Sequence, residues 1–178
     1  MLKNTSYFLR ASTFIFSVIL FYFADIFFNL KFKSYHHLIF IFISAAGILF
    51  SPLYFISSNY DKILHLASPF LLSILVFFLV NKTDLKLSTK LLMTFSVVVM
   101  FISLFEIVEF LLDRFFDLKL QGVYIRDLSG VAKLNIIIDR NDDTMVDLIF
   151  GTISSAVFIG YKAIVSNLKR PKNKKHKL

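Results

Sequence analysis

The sequence predicts an all-α, polytopic bundle of transmembrane helices with about five spans and one interfacial segment. Of its 178 residues, 57% are hydrophobic, and the mean hydropathy is +0.72. A soluble domain of this length would not keep so much apolar surface out of water. A hydrocarbon core of about 30 Å requires about 20 apolar residues per helix. Residues 1–166 are expected to form one integral membrane domain with five stretches of that length: 9–30, 37–57, 62–80, 89–112 and 144–165.

The first apolar stretch follows Lys3 and Arg10, a beginning that is also typical of a secretory signal peptide. Its apolar run is too long for a signal peptide, and no small-x-small cleavage site follows it. We therefore interpret this stretch as a true span.

Residues 113–143 separate the fourth and fifth spans and have a different composition. They alternate charged and apolar side chains and contain Gly122 and Gly130. Such a segment is unsuited to crossing hydrocarbon. It predicts an interfacial helix or a folded loop at the membrane surface.

The distribution of basic residues predicts the orientation of the protein in the membrane. Positive charge concentrates in the loop KFK (31–33), in the loop NKTDLKLSTK (81–90) and in a basic tail, residues 167–178. Short basic loops remain on the cytoplasmic side. We therefore expect a multi-pass protein of the cell membrane, with its C-terminus cytoplasmic and its N-terminus outside. The tail is expected to contact anionic lipid. Nucleic acid is excluded as a partner, because the basic run is a tail on a membrane span and not a folded basic surface.

Ionisable groups near the ends of three spans are expected to form one polar site. Because consecutive spans alternate direction, these groups fall at the same membrane face, the outer one: Asp61 and His65, Glu106 and Glu109, Asp143 and Asp147. Each pair is three or four residues apart and therefore shares one helical face. His65, Glu106 and Asp147 lie at matched depths of roughly 5–10 Å inside their spans. Since ionisable groups that face lipid are costly, the three polar faces should point inward at each other.

Other positions are expected to support this site. Gly151 continues the helical face of Asp147 by another turn, where a missing side chain allows a close helix approach. The hydroxyls of Ser68, Thr144 and Ser103 are candidate nucleophiles, although no pattern singles one out.

The acids at the start of the fifth span are expected to differ in role. Asp143 is predicted to be the N-terminal cap of the helix, where a carboxylate complements the helix dipole. Asp139 and Asp142 are interpreted as solvated loop charges.

Three ionisable groups nearer the opposite face are interpreted as unrelated to the site. Asp25 stands alone in the first span and is expected to be interfacial or structural. His36 and His37 have no acidic neighbour in the sequence.

The predicted cluster is suited to several kinds of chemistry. Close carboxylates cannot all remain ionised in a low dielectric, so protons must be retained or a cation must bind. His65, Glu106, Glu109 and Asp147 are candidate catalytic residues for acid–base chemistry or proton relay, with Asp61 in support. The chain has no cysteine and no Glu-x-x-His or His-Glu-x-x-His motif, and no cofactor is identified. A divalent cation remains an alternative, with the same three spans supplying its candidate ligands: His65, Glu106, Glu109, Asp143 and Asp147.

Three short motifs carry a resemblance to known families. They are DKILH (61–65), EIVE (106–109) and DTMVDLIFG (143–151). Together they resemble motifs of the VanZ-like membrane proteins and of the related, uncharacterised YjdF-like integral membrane family, over about residues 55–160. Glu109 fits the YjdF-like pattern, whereas VanZ-like proteins have glutamine there. The resemblance implies a shared polar site, and the VanZ-like family is associated with glycopeptide-antibiotic resistance.

Two functions remain open on this sequence. The site at the outer face can bind or act on a cell-envelope lipid or lipid-linked precursor, with His65 and one glutamate as acid–base partners. Alternatively, the polar cluster is a structural clamp in a non-catalytic membrane protein, either a partner-binding subunit or a transporter component.

Overall fold

The computed structural model describes residues 2–116, 119–126 and 134–168, with side chains described from Tyr7 onward. It confirms an all-α helix bundle. Within these described residues, four helices are long and apolar enough to cross a membrane. They are α1 (Leu2–Phe27), α3 (Tyr60–Val80), α4 (Leu87–Phe116) and α5 (Arg140–Leu168).

The second predicted span, 37–57, is not one continuous α-helix. Helix α2 (Ser34–Ser44) passes into a π-helical turn (Ala45–Leu49) and then into a 3₁₀ segment (Ser51–Phe55). Pro52 lies at the start of the 3₁₀ segment and has no N–H to continue the α-helical ladder. The apolar helical run Ser34–Leu49 is therefore shorter than the other four helices.

This shorter helical segment nevertheless runs alongside α3. Near its start, the ring of His36 lies 4.1 Å from the ring of Phe78 at the far end of α3. Further along, the Tyr60 hydroxyl at the beginning of α3 donates a hydrogen bond to the carbonyl of Ala46 at 2.8 Å. The segment thus runs antiparallel to α3, and both ends of α3 are in contact with it.

The described residues of the loop between α4 and α5 include a β-hairpin. Of the two structures predicted for this segment, these residues form the folded loop and not the interfacial helix. Strands β1 (Val123–Arg126) and β2 (Leu134–Ile138) pair antiparallel, with an irregularity between Val123 and Tyr124. Residues 117–118 and 127–133 of the predicted interfacial segment lie outside the described part of the chain, as do residues 169–178 of the basic tail.

The N-terminal cap of α5 differs from the expectation. The Oδ1 atom of Asp139 accepts hydrogen bonds from the backbone N–H groups of Asn141 and Asp142, both at 3.0 Å. Asp139 is therefore the capping residue, and the expectation that Asp143 caps this helix was wrong. The helix begins at Arg140, one turn earlier than predicted, because the cap lies directly after β2.

Helices α3, α4 and α5 form the centre of the bundle. Small residues allow their close approach: Ile102 of α4 packs against Gly151 of α5, where a Cβ would lie 2.8 Å from the Ile102 Cδ1 atom. The hydroxyl of Ser154 on α5 donates to the carbonyl of Leu66 on α3. These contacts place the first turns of α3 and α5 beside the last turns of α4.

The two ends of the bundle differ in charge. We call the end that carries Asp61, Glu106 and Asp143 the acidic end, and the end that carries Lys33, Lys82 and Lys90 the basic end.

At the basic end, the reading of Asp25 as a lone acid was wrong. Its Oδ2 atom lies 3.1 Å from Nε2 of His37, and its Oδ1 atom accepts the Phe32 N–H at 3.1 Å. These contacts join α1 to α2, and the separation of twelve residues between the partners conceals them in the sequence.

Candidate functional site

Lys62 lies at the centre of the acidic cluster. Its ammonium group donates hydrogen bonds to Asp61 Oδ2 at 3.0 Å and to Asp147 Oδ1 at 2.9 Å. It also donates to Oδ1 of Asp143. One cation on α3 therefore joins three carboxylates, two of which belong to α5. Buried charges require such partners, and Asp147 is only 2% exposed.

His65 and Glu106 form a second part of the cluster, beside Lys62. The Nδ1 atom of His65 lies 3.7 Å from Oε1 of Glu106, a distance slightly beyond a direct hydrogen bond. The other ring nitrogen, Nε2, lies 3.5 Å from Asp61 Oδ1 and 4.0 Å from Asp147 Oδ2. The imidazole thus lies between a glutamate from α4 and aspartates from α3 and α5, so the structure brings the three predicted helices together here.

Glu106 has a buried carboxylate oxygen without a hydrogen-bond partner among the described residues. This oxygen is Oε1, and the residue as a whole is 5% exposed. An unsatisfied buried acceptor is costly unless a ligand, a proton or a water supplies the missing contact. Its carboxylate lies beside the Thr144 hydroxyl, which accepts a hydrogen bond from Gln121 Nε2 at 2.8 Å.

The remaining predicted site residues are placed around this cluster. Glu109 is half-buried one turn after Glu106, close enough for electrostatic interaction with Glu106 and Asp61, but it forms no ion pair among the described residues. Ser68 lines a cavity next to His65. Gly151 lies one turn beyond Asp147, at the contact with α4 rather than within the cluster.

Asp143 links the cluster to the loop at the acidic end. Its Oδ1 atom accepts from Lys62, and its Oδ2 atom accepts the backbone N–H of Gly122 at 2.7 Å. Gly122 has a φ of +90°, a conformation that other residues rarely adopt. Asp113 completes the anchorage, because its two oxygens accept the N–H groups of Leu120 and Gln121 at 2.8 and 3.0 Å.

An apolar cavity of about 360 Å³ opens beside His65, between the α2 segment, α3 and α4. The few polar residues that line it include His65, Ser68 and Tyr54. The rest are aliphatic and aromatic side chains, among them Ile48, Leu72, Ile102 and Phe105. This volume lies within the range of about 300–1,000 Å³ that is typical of ligand pockets.

Charge within the cluster is unbalanced. Five carboxyl groups, those of Asp61, Glu106, Glu109, Asp143 and Asp147, share one ammonium and one imidazole among the described residues. They cannot all be ionised at this burial without further positive charge, so the site must retain protons or attract a cation.

Among the described residues, one group of side chains could hold a divalent cation. Asp61, His65 and Asp147 each offer a ligand atom, and these atoms lie within 4.8 Å of one another. Mixed carboxylate and imidazole ligands suit several divalent ions. The Lys62 ammonium contacts two of the same carboxylates, so an ion at this position would compete with it.

Sequence reasoning missed the central residue of the site. Lys62 stands inside the DKILH motif, three residues before His65 and therefore on the same helical face. A basic residue at the mouth of an apolar span, facing unpaired acids on two other spans, is the signal that would have identified it. Asp113 and Gln121 were also missed, since their partners depend on the path of the loop.

The fold and the site together define a multi-pass membrane protein whose ion-paired cluster is buried at one end of a helix bundle. Its apolar helices indicate a lipid bilayer as their environment. The chain belongs to a family of predicted membrane proteins, DUF2238, whose sequence pattern matches residues 3–167. That match supports membership of an uncharacterised membrane protein family, and it carries neither of the names VanZ-like and YjdF-like. No curated protein and no solved structure matches the chain.

Proposed function

We propose that this protein binds a cell-envelope lipid or lipid-linked precursor at the outer face of the cell membrane, and that His65 and Glu106 act on its polar head as an acid–base pair. The observation that carries the proposal is the buried Oε1 atom of Glu106. It lies 3.7 Å from the His65 imidazole and has no hydrogen-bond partner among the described residues.

The shape of the cavity supports an amphiphilic ligand. Its walls are mostly apolar, and His65 is the basic residue among those that line it. A hydrocarbon chain would bury apolar surface against Leu72 and Phe105, while the polar head would lie against His65.

The contacts of His65 support proton transfer rather than simple binding. A general acid or base must be within hydrogen-bond reach of the group that it serves, and such bonds are often long before the ligand is present. Asp61 and Asp147 lie near Nε2, so they favour an N–H on that nitrogen and leave Nδ1 to exchange a proton on the Glu106 side. The tautomer is thus selected by the aspartates that Lys62 holds in place.

The three motifs that resemble the VanZ-like and YjdF-like families supply every group in this scheme. DKILH contributes Lys62 and His65, EIVE contributes Glu106, and DTMVDLIFG contributes Asp147. Under the proposal, the shared element of these families is the polar site rather than a particular antibiotic resistance.

A structural clamp remains the second candidate function, because one specific observation favours it. The Lys62 ammonium contacts carboxylates on both α3 and α5. Ion pairs of this kind hold the helices together without catalysing a reaction. Removal of one partner leaves an uncompensated buried charge.

Isosteric variants distinguish the two functions. We would purify wild type, His65→Asn and Glu106→Gln in nanodiscs, measure thermal unfolding, and identify the bound lipids by mass spectrometry. His37→Asn is the matched control, because it removes an imidazole and its contact with Asp25 at the basic end, away from the site.

Acid–base chemistry predicts that both variants unfold within a few degrees of wild type and retain a bound lipid that wild type has partly converted. A clamp predicts loss of folded protein in both variants, with no change in the chemistry of the bound lipids. Folded variants with the same lipid species as wild type would contradict the acid–base proposal.

A further inference from the structure

A second cleft lies at the acidic end, on the other side of Glu106. It is enclosed by α4, α5 and the loop that precedes the β-hairpin, and its volume is about 570 Å³. Its polar linings include Arg114, Gln121, Arg140 and Thr144, and its apolar linings include Ile107, Phe110 and Leu148.

We propose that this cleft binds a phosphate-bearing lipid, with the phosphate between Arg114 and Arg140 and the acyl chains along the apolar residues below them. The site is separate from the cavity beside His65 and from the basic tail, and it does not depend on the proposed acid–base function.

The α4 wall of the cleft has an amphiphilic order along the helix. Its lining residues are Ser103, Ile107, Phe110 and Arg114. Their spacing of three or four residues places them on one helical face. Arg114 lies near the C-terminal end of α4 at the membrane surface, and Ile107 lies about 10 Å deeper along the axis.

The α5 wall repeats this order. Its lining residues Arg140, Thr144 and Leu148 are four apart and likewise share a face. Arg140 is the first residue of the helix, and Leu148 lies two turns deeper. Two guanidinium groups therefore lie at the surface end of the cleft and apolar side chains at its membrane end, which is the order of a phosphate head and its acyl chains.

Local contacts position the polar groups of the cleft. The Nε atom of Arg140 donates to the Tyr124 hydroxyl on β1 at 3.3 Å. Gln121, anchored by Asp113, donates to Thr144 at 2.8 Å. Guanidinium groups are suited to phosphate because their planar N–H donors match its oxygens and remain charged.

Glu106 also lines the cleft, but its position is compatible with a phosphate between the two arginines. Glu106 lies on the inner wall, and its Oε1 atom faces the His65 imidazole at 3.7 Å. It is 5% exposed, whereas Arg114 is exposed. Of the three charged residues that line the cleft, the two exposed ones are therefore Arg114 and Arg140.

Native mass spectrometry of the full chain in detergent tests the proposal. The probes are dioleoyl phosphatidic acid and dioleoylglycerol, which have the same acyl chains and differ in the phosphate. The variants are Arg114→Gln on α4 and Arg140→Gln on α5. Arg126→Gln, at the end of β1 and outside the cleft, is the matched control. A competition arm adds a millimolar excess of inorganic phosphate.

We expect wild type to retain phosphatidic acid in preference to dioleoylglycerol. Each cleft variant should weaken retention by about tenfold, the effect of losing one charge-assisted contact. Arg126→Gln should retain it as wild type does, and inorganic phosphate should not displace it.

Three results would overturn the assignment. Equal retention of the two lipids would show that the phosphate does not contribute to binding. If Arg126→Gln lost as much phosphatidic acid as the cleft variants do, the lipid would be attracted by the general positive charge of the surface and not by the cleft. Displacement by inorganic phosphate would identify a soluble phosphate compound, and not a lipid, as the ligand of the cleft. If a cleft variant fails to fold, the Arg→Met variant at the same position, which keeps the aliphatic stem and removes the charge, takes its place with the same expected loss.

Discussion

The ammonium of Lys62 on α3 donates a hydrogen bond to Oδ1 of Asp147 on α5 at 2.9 Å. Helices α3 and α5 are thus joined at the acidic end by a buried ion pair that Asp61 and Asp143 extend. The stability of the bundle should therefore depend on a single cation.

Replacing Lys62 with methionine should destabilise the protein by about 3–5 kcal/mol, because it keeps the length of the side chain but leaves buried carboxylates without a counter-charge. The measurement is the free energy of unfolding in detergent. Lys90→Met is the control, since the Lys90 ammonium is hydrogen-bonded only to Asn81 among the described residues and is located at the opposite end. A Lys62→Met protein as stable as wild type would mean that the carboxylates are already neutralised by protons.

Enlarging Gly151 should separate α4 from α5. A Cβ at this position would lie 2.8 Å from Cδ1 of Ile102 and 3.1 Å from its Cγ2, so leucine requires the Ile102 side chain or one of the two helices to move. We expect Gly151→Leu to cost about 1–3 kcal/mol, as overpacking typically does.

Gly160→Leu is the control for this change, because a Cβ there meets no atom within 4 Å. The double variant Gly151→Leu with Ile102→Ala should recover part of the loss in thermal stability. Equal melting temperatures for Gly151→Leu and Gly160→Leu would contradict the close helix contact.

Replacing Asp113 with asparagine should loosen the loop before β1. An amide offers one acceptor oxygen in place of two, so one of the N–H groups of Leu120 and Gln121 loses its bond. Hydrogen exchange at these two amides should become faster, while the Gly122 amide, which is bonded to Asp143, should retain its protection.

Asp142→Asn tests whether loss of any nearby charge has the same effect, because Asp142 is exposed in the first turn of α5. Unchanged exchange at Leu120 and Gln121 in Asp113→Asn would show that the carboxylate does not hold the loop.

The orientation predicted from the basic loops can be measured directly, since the chain has no cysteine. Single cysteines at Ser57 and Thr83 would report the acidic and basic ends, and both positions are exposed. A membrane-impermeant maleimide should label Ser57→Cys in intact cells and Thr83→Cys only after permeabilisation. The reverse pattern would place the candidate site at the cytoplasmic face.

The fold class and the clustering of acidic residues at one end of the bundle could be predicted from the sequence, and each prediction has a physical reason. Hydrophobic length specifies helices, and the alternation of their directions brings the ends of α3, α4 and α5 to one face. The helical periodicity of His65 and Asp147 then determines which side chains point inward.

Other features depend on three-dimensional detail that periodicity does not contain. Lys62 was passed over because a basic residue at a helix end is usually solvated or extended toward the interface. The cap at Asp139 depends on where β2 ends, and the broken helix after Ser44 depends on how the backbone accommodates the segment that leads to Pro52. Long-range partners such as Asp25 and His37 require the path of the connecting loop.

The ion pair between α3 and α5 also has a consequence for how the chain is made. Its two partners are 85 residues apart, so the ribosome has synthesised Lys62 several seconds before Asp147 emerges, at roughly 5–20 residues per second. Of the three carboxylates that contact the Lys62 ammonium in the folded protein, Asp61 alone is present during that interval. The final helix therefore supplies two of the three carboxylates that contact Lys62, and a chain that stops before α5 would keep its third and fourth helices without the ion pairs that join α3 to α5.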